Sequence, residues 1–211
     1  NPTPDDIRGV IFDLDGVLRQ WPKSDADLEA RYSLPPGSIS SVAFLPDLLP
    51  LALTGAISDT HWRSSIASGL SARHQIARAR AVDAVAEWSA ATGIINMDVL
   101  QIVREVRRVA KVAIFTNATN KVLLDLGKLS LISEVDAILY SSDLGYSKPS
   151  PESFHETLRR LGVSANEVVF VDDTAANIDA ASAVGIVSHL YTSPSALAVF
   201  LRACNLPFGS S

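Results

Sequence analysis

The feature that most constrains this chain is an alternation. Short apolar runs at residues 10–14, 112–115, 137–140, 168–171 and 188–191 are rich in β-branched side chains. Longer amphipathic stretches at 97–109, 121–131, 151–161, 175–184 and 193–203 separate or follow them. The runs are apolar on both faces, which predicts strands buried on both sides. The stretches carry the helical period, and Gly162 and Gly185 fall where helix C-caps are expected. Strand and helix in strict turn predict an α/β fold: a Rossmann-like parallel sheet with helices on both faces. A hydrophobic content of 47% is enough to bury such a sheet.

One segment breaks the rhythm. Between the first strand and the helix at 97–109 no convincing strand is found, and Leu34-Pro35-Pro36-Gly37 reads as a turn. Residues 47–53, 58–67 and 71–89 read as helical, rich in Ala, Arg and Glu. So long a loop needs structure of its own. The expectation is a helical insert at 19–94, with the core formed by 1–18 and 95–211.

Charge and cysteine content narrow the partners. The net charge is −5, and no Lys/Arg block stands out; Arg104, Arg107 and Arg108 sit beside Glu105. Binding a nucleic-acid backbone needs clustered cations, so no nucleic-acid partner is expected. Cys204 is the single cysteine, which excludes an intrachain disulfide and fits a reducing compartment. No apolar run spans a bilayer, and the polar, acidic N-terminal residues lack the pattern of a signal peptide. The expectation is a cytoplasmic protein without a membrane partner, either monomer or dimer.

Ligands of open parallel sheets bind beyond the carboxyl ends of the strands, so the residues ending each strand matter most. The first strand runs into Asp13-Leu14-Asp15-Gly16. Two carboxylates two residues apart point the same way in a regular strand, and Gly16 permits a sharp departure after them. The second strand ends in Thr116-Asn117, a hydroxyl and an amide that can donate to a phosphate oxygen or cap a helix. Lys148 lies in a loop fixed by Pro149 and Pro151, as a compact positive charge or an ordinary solvated one. The fourth strand ends in Asp172-Asp173-Thr174. Adjacent carboxylates there are costly unless a cation sits between them, and an all-oxygen ligand set suits Mg²⁺. Singly these features are ordinary. Together they bring a nucleophile, a metal site and a neutralising cation to one sheet edge.

At this point the sequence resembles the haloacid dehalogenase-like hydrolase superfamily. The resemblance rests on four ordered motifs: Asp13-Leu-Asp15-Gly-Val, Thr116-Asn117, Lys148-Pro149, and Val171-Asp172-Asp173-Thr174 followed by Asn177. It covers residues 7–18 and 95–205, and the 19–94 insert is similar to the helical cap of the phosphatase and phosphomutase branch. The resemblance implies Asp13 as a nucleophile forming an aspartyl-phosphate. It implies Asp15 as general acid and then base, with its backbone carbonyl on the metal. Asp173 would be the main Mg²⁺ carboxylate, with Asp13 beside it and Asp172 as a further ligand or a partner behind it. Thr116 and Asn117 would hold phosphoryl oxygens, and Lys148 would neutralise Asp13 and the transferring group. Asp15 favours phosphoryl transfer over dehalogenation, because a halide leaves without a proton. Asn177 departs from relatives that carry a second aspartate there.

The expected function is Mg²⁺-dependent hydrolysis of a small phosphorylated metabolite. A phosphomutase, a receiver-like protein and a non-catalytic phosphate binder stay open, although the receiver order of motifs differs from this one. In the insert, Trp62 and Arg63 are candidate substrate contacts, with Trp21 and His61 nearby. Trp62 could stack on a ring or pack the insert core; Arg63 could hold an anion or be solvated. His74 and His155 are expected at the surface and Trp88 in packing. No His/Cys spacing supports a transition-metal cluster.

Overall fold

The computed structural model describes residues 7–206. The acidic N-terminal stretch and the Gly-Ser-Ser tail lie outside those residues. In chain order the elements are β1 (Gly9–Phe12), β2 (Arg19–Gln20), α1 (Ala26–Arg31), α2 (Ser38–Ala43), α3 (Leu49–Leu53), α4 (Asp59–His74) and α5 (Arg78–Ala90). Then follow β3 (Ile94–Ile95), α6 (Met97–Val106), β4 (Lys111–Thr116), α7 (Val122–Lys128), β5 (Ala137–Tyr140), α8 (Ser141–Leu144) and α9 (Pro151–Leu161). The chain closes with β6 (Val168–Asp172), α10 (Ala175–Ala183), β7 (Val187–Leu190) and α11 (Pro194–Ala203).

Five strands form one parallel sheet in the order β5-β4-β1-β6-β7. This is the α/β architecture expected from the alternation. Side chains of alternate parity leave opposite faces of each strand. Val10 and Phe12 pack with Ile114 and Val171 under α6, α7 and α11. Ile11, Phe115 and Phe170 pack with Phe154 of α9 and Ala181 of α10 on the other side. Both faces are therefore covered, as parallel strands require.

Residues 26–90 build a separate apolar cluster around Ile39, Val42, Ile66, Leu70, Ala84 and Val85. Several details here differ from the sequence expectation. α4 runs unbroken to His74, through the break expected after residue 67, and the helix expected over 71–89 is instead broken at 75–77, where Gln75 turns left-handed; Gly69 lies within α4 where a Cβ would crowd the Val42 side chain. α1 and α2 are short and interrupted by the Pro35-Pro36-Gly37 turn, which hides their period. β2 and β3 pair antiparallel through Arg19↔Ile95 and Gln20↔Ile94, too short to read as strands from pattern alone. Among the described residues no helix is long and apolar enough to cross a membrane.

Candidate active site

Register decides what meets what. β1 lies between β4 and β6, with Phe12 level with Ile114 and Val171. The next residue on each strand, Asp13, Phe115 and Asp172, stands at the carboxyl edge of the sheet, and the Asp13 amide donates to the Val171 carbonyl at 2.8 Å. This is the switch point of the topology, since the chain builds β4 and β5 on one side of β1 and β6 and β7 on the other.

Lys148 reaches into this edge from the loop before α9. Its Nζ donates to Asp13 Oδ1 at 2.8 Å, to Asp172 Oδ2 at 2.6 Å and to the Phe115 carbonyl at 3.1 Å. The ammonium also lies over the Phe115 and Phe170 rings. Asp13, Lys148 and Asp172 are all buried. Burial alone would lower the Lys148 pKa, but the Asp13 and Asp172 carboxylates outweigh it and hold the ammonium more firmly protonated. Asn117 fixes the loop: its Nδ2 donates to the Lys148 carbonyl and its Oδ1 accepts from the Lys148 amide, both at 2.8 Å. Thr116, at the end of β4, is buried beside it.

Asp172 is fully engaged. Beyond Lys148 it accepts from the Thr174 amide at 2.8 Å and from Asn177 Nδ2, 3.0 Å from each carboxylate oxygen. Asn177 therefore orients Asp172, and Thr174 starts α10 without a side-chain cap bond. Asp173 is exposed, and its carboxylate rests on Gly16. Gly16 has φ +87, and a Cβ there would overlap the Asp173 carboxylate, so glycine is needed on both counts.

Asp13, Asp172 and Asp173 offer carboxylate oxygens that all lie within 4.8 Å of one another. Burial first, and then the Asp172 charge, push Asp13 up to about 7 against the opposing pull of Lys148. Burial and Asp172 also raise Asp173. Crowded carboxylates of this kind fit a hard divalent cation. The cation-free protein should show the cost. A carboxyl raised from 3.8 to about 7 contributes stability at low pH that is lost as pH climbs through that interval. Thermal melts of chelated protein are expected to show the Tm of the parent falling between pH 4 and pH 7.5 relative to that of Asp13→Asn, in which the other carboxyls titrate alike. Parallel courses for the parent and Asp13→Asn across that range count against a crowded Asp13.

Asp15 stands outside this cluster. Its two oxygens accept from Arg19 Nε at 2.6 Å and Arg19 Nη2 at 3.0 Å, and Oδ1 also accepts from Trp21 Nε1 at 2.6 Å. It lines a cavity of about 510 Å³ between the strand-edge loops and the α1–α5 helices, together with Asn117, Trp21, Trp62 and Trp88. Trp62 both packs the helical cluster and faces this cavity. Arg63 is absent from the cavity wall: its Nε is 2.7 Å from Asp59 Oδ2, and its Nη1 reaches Ser89. His61 and His155 are exposed and His74 half-buried.

Sequence reasoning missed Arg19, Asp59, Thr119 and Asp125. Arg19 lies four residues after Asp15, a pairing distance that could have found it. Asp59 Oδ1 accepts from Thr119 Oγ1 at 2.8 Å, a buried bond joining α4 to the loop after β4 that no local pattern announces.

With this geometry in view, the known relatives can be placed. A family model described as a haloacid dehalogenase-like hydrolase matches residues 7–185. A phosphatase of Mycobacterium tuberculosis is 28% identical over 191 residues, 87% of each chain. A HAD family enzyme of Bacteroides thetaiotaomicron, solved as a magnesium complex, superposes with a TM-score of 0.71 at 17% identity. That match covers 93% of this chain and 99% of the other; the same enzyme has also been solved with magnesium and inorganic phosphate. The L-2-haloacid dehalogenase of Xanthobacter autotrophicus superposes at 0.64 with 24% identity, over 93% of this chain and 83% of that one. At these identities the two structures speak for the fold alone.

Proposed function

The chain belongs to the haloacid dehalogenase-like hydrolases, and on that premise we propose that it is a magnesium-dependent phosphatase of small phosphate monoesters. The observation that carries the reading is the group of three carboxylates within 4.8 Å, with Lys148 bridging two of them. Attack by one carboxylate on an anionic phosphoryl group needs positive charge close by. Displacing a halide from carbon has no such need. The similarity to a named phosphatase over 87% of the chain agrees with this.

Each strand-end residue has a role in this reading. Asp13 and Asp173, with the backbone carbonyl of Asp15, would hold Mg²⁺, which when bound supplies charge neutralisation for the phosphoryl oxygens. Asp172 acts from behind, keeping Lys148 and Asp13 in register. The Asp13 carboxylate attacks phosphorus, forming an acyl phosphate as the ester P–O bond breaks. Asp15, which as it stands only accepts from Arg19 and Trp21, turns from them, takes up a proton from solvent and gives it to the leaving oxygen. Asp15 then takes a proton from the water that attacks phosphorus, which frees Asp13 and inorganic phosphate. Thr116 and the second N–H of Asn117 would donate to phosphoryl oxygens in this reading, while Asn117 also fixes Lys148. Residues 19–94 act in this reading as a cap that shields the site from water. Within it, Trp62, on the wall of the cavity beside Asp15, would face the leaving group; Arg63, paired with Asp59, would support the wall rather than the substrate.

The discriminating assay offers the protein an aryl monophosphate and, separately, 2-chloropropionate. Phosphate release that needs Mg²⁺ and stops with chelator is expected, with no chloride release. Chloride release indifferent to metal would overturn the reading.

A further inference from the structure

The cavity beside Asp15 says more about the substrate than its size. Its wall is built from Trp21, Phe44, Leu49, Leu53, Trp62 and Trp88. Trp88 meets Phe44 edge-on at 6.5 Å and Trp62 edge-on at 5.9 Å, so the three rings form one aromatic surface. Trp21 is 43% and Phe44 55% exposed, a large apolar area to leave in water. All three indole N–H groups are already used: Trp21 on Asp15, Trp62 on the Ala43 carbonyl and Trp88 on Asp25. What the rings offer a ligand is carbon.

The charges on the wall are equally committed. Arg19 bonds Asp15 and lies 3.8 Å from Asp125; Lys121 bonds both oxygens of Asp125 at 2.6 and 2.8 Å. Asp59 is held by Thr119 and Arg63. Among the described residues the wall carries four carboxylates, Asp15, Asp25, Asp59 and Asp125, against two cations, Arg19 and Lys121, with Arg63 pairing Asp59 from outside it. A second phosphate or carboxylate on the substrate would enter a cavity in which, among the described residues, carboxylates outnumber cations; Arg19, even when Asp15 turns from it, keeps Asp125 at 3.8 Å. A sugar would set most of its hydroxyls against ring carbon, and the wall's Asp15, Asp25, Asp59, Asp125 and Asn117 are already bonded to protein partners.

Given the phosphatase reading on which this rests, we propose that the substrate is the phosphate monoester of an uncharged apolar or aromatic alcohol, the scissile phosphate being its only anionic group. The alcohol lies on the Phe44–Trp88–Trp62 surface, with its ester oxygen toward Asp15.

The test compares kcat/KM for 1-naphthyl phosphate, ribose 5-phosphate, a sugar bisphosphate and phosphocholine, using the full chain with Mg²⁺. Naphthyl phosphate is expected to lead by about tenfold or more. Phe44→Ala, at an exposed side chain, is expected to narrow that lead by about fivefold. A lead by the bisphosphate or the sugar phosphate overturns the proposal and leaves the phosphatase reading standing; so does hydrolysis of all four at equal rates. A lead by phosphocholine overturns it in favour of a cationic alcohol held by the rings and carboxylates. Calorimetric titration of the metal-free protein with 1-naphthol and with ribose separates the two readings. Where none of the four is hydrolysed the phosphatase reading falls, while saturable binding of naphthol without ribose still supports the apolar pocket; no binding of naphthol, or equal binding of ribose, overturns it.

Discussion

Replacing Asp13 with Asn is expected to lower turnover of an aryl phosphate by roughly 10³-fold or more while leaving the fold intact. The fold argument is local. The Asp13 amide keeps its bond to the Val171 carbonyl whatever the side chain is. An asparagine has the same volume, and its Oδ1 can still accept from Lys148 at the position where Asp13 Oδ1 now sits, 2.8 Å away. Burial makes the charged form costly at this position, since it pushes the carboxyl up to about 7. Losing that charge should therefore leave the cation-free protein as stable as the parent at neutral pH. The activity argument is chemical: an amide cannot form the acyl phosphate, and the other nearby carboxylates are poorly placed to replace it. Asp172 is tied by Lys148, Asn177 and the Thr174 amide, and Asp173 is exposed at the rim. Steady-state phosphate release and a thermal melt check the two halves. Residual turnover within tenfold of the parent would remove Asp13 from the chemistry.

The fold was legible in the sequence wherever a strand is buried on both faces. β5 and α9 coincide with the segments expected from pattern, and the other sheet strands differ by one or two residues at their ends. What could not be read was short or long-range. β2 and β3 have two residues each, and α1 and α2 six each around a proline-rich turn, below the length at which a period is visible. The site divides in the same way. The residue types at the strand ends announced an acidic edge with a lysine. They could not say that Lys148 bridges Asp13 to Asp172, because that depends on β1 and β6 standing in register side by side. Nor could they say that Asn117 grips both the amide and carbonyl of Lys148, or that Arg63 turns away to Asp59. Thr119 lies two residues after Asn117, yet its partner Asp59 is sixty residues earlier. Tertiary packing alone brings that pair together.

Replacing Lys148 with Met is expected to damage stability as well as activity, and the stability loss should depend on pH. Lys148 is 5% exposed and donates to two buried carboxylates and one carbonyl. A methionine is close to the lysine stem in length and can lie against the same Phe115 and Phe170 rings, so packing is largely kept. The charge is not. Asp13 and Asp172 are left facing each other, and stranding buried charge in this way costs about 3–5 kcal/mol. Protonation relieves it. Lys148 is what pulls Asp13 down against burial and the Asp172 charge, so without it the Asp13 pKa moves further up from about 7. A carboxyl raised in the folded state contributes stability at low pH that is lost as pH rises through its folded pKa. The variant should therefore melt close to the parent near pH 5 and fall progressively below it toward pH 8. Adding Asp13→Asn to Lys148→Met removes one of the facing charges and should recover part of the deficit at pH 8, a coupling that a double-mutant cycle measures. Turnover should fall by roughly 10²-fold or more in the single variant even at the pH where it is folded, because the transferring phosphoryl group loses its fixed cation. A stability loss that is the same at pH 5 and pH 8, with no recovery in the double variant, would mean that Lys148 serves packing rather than holding two carboxylates together.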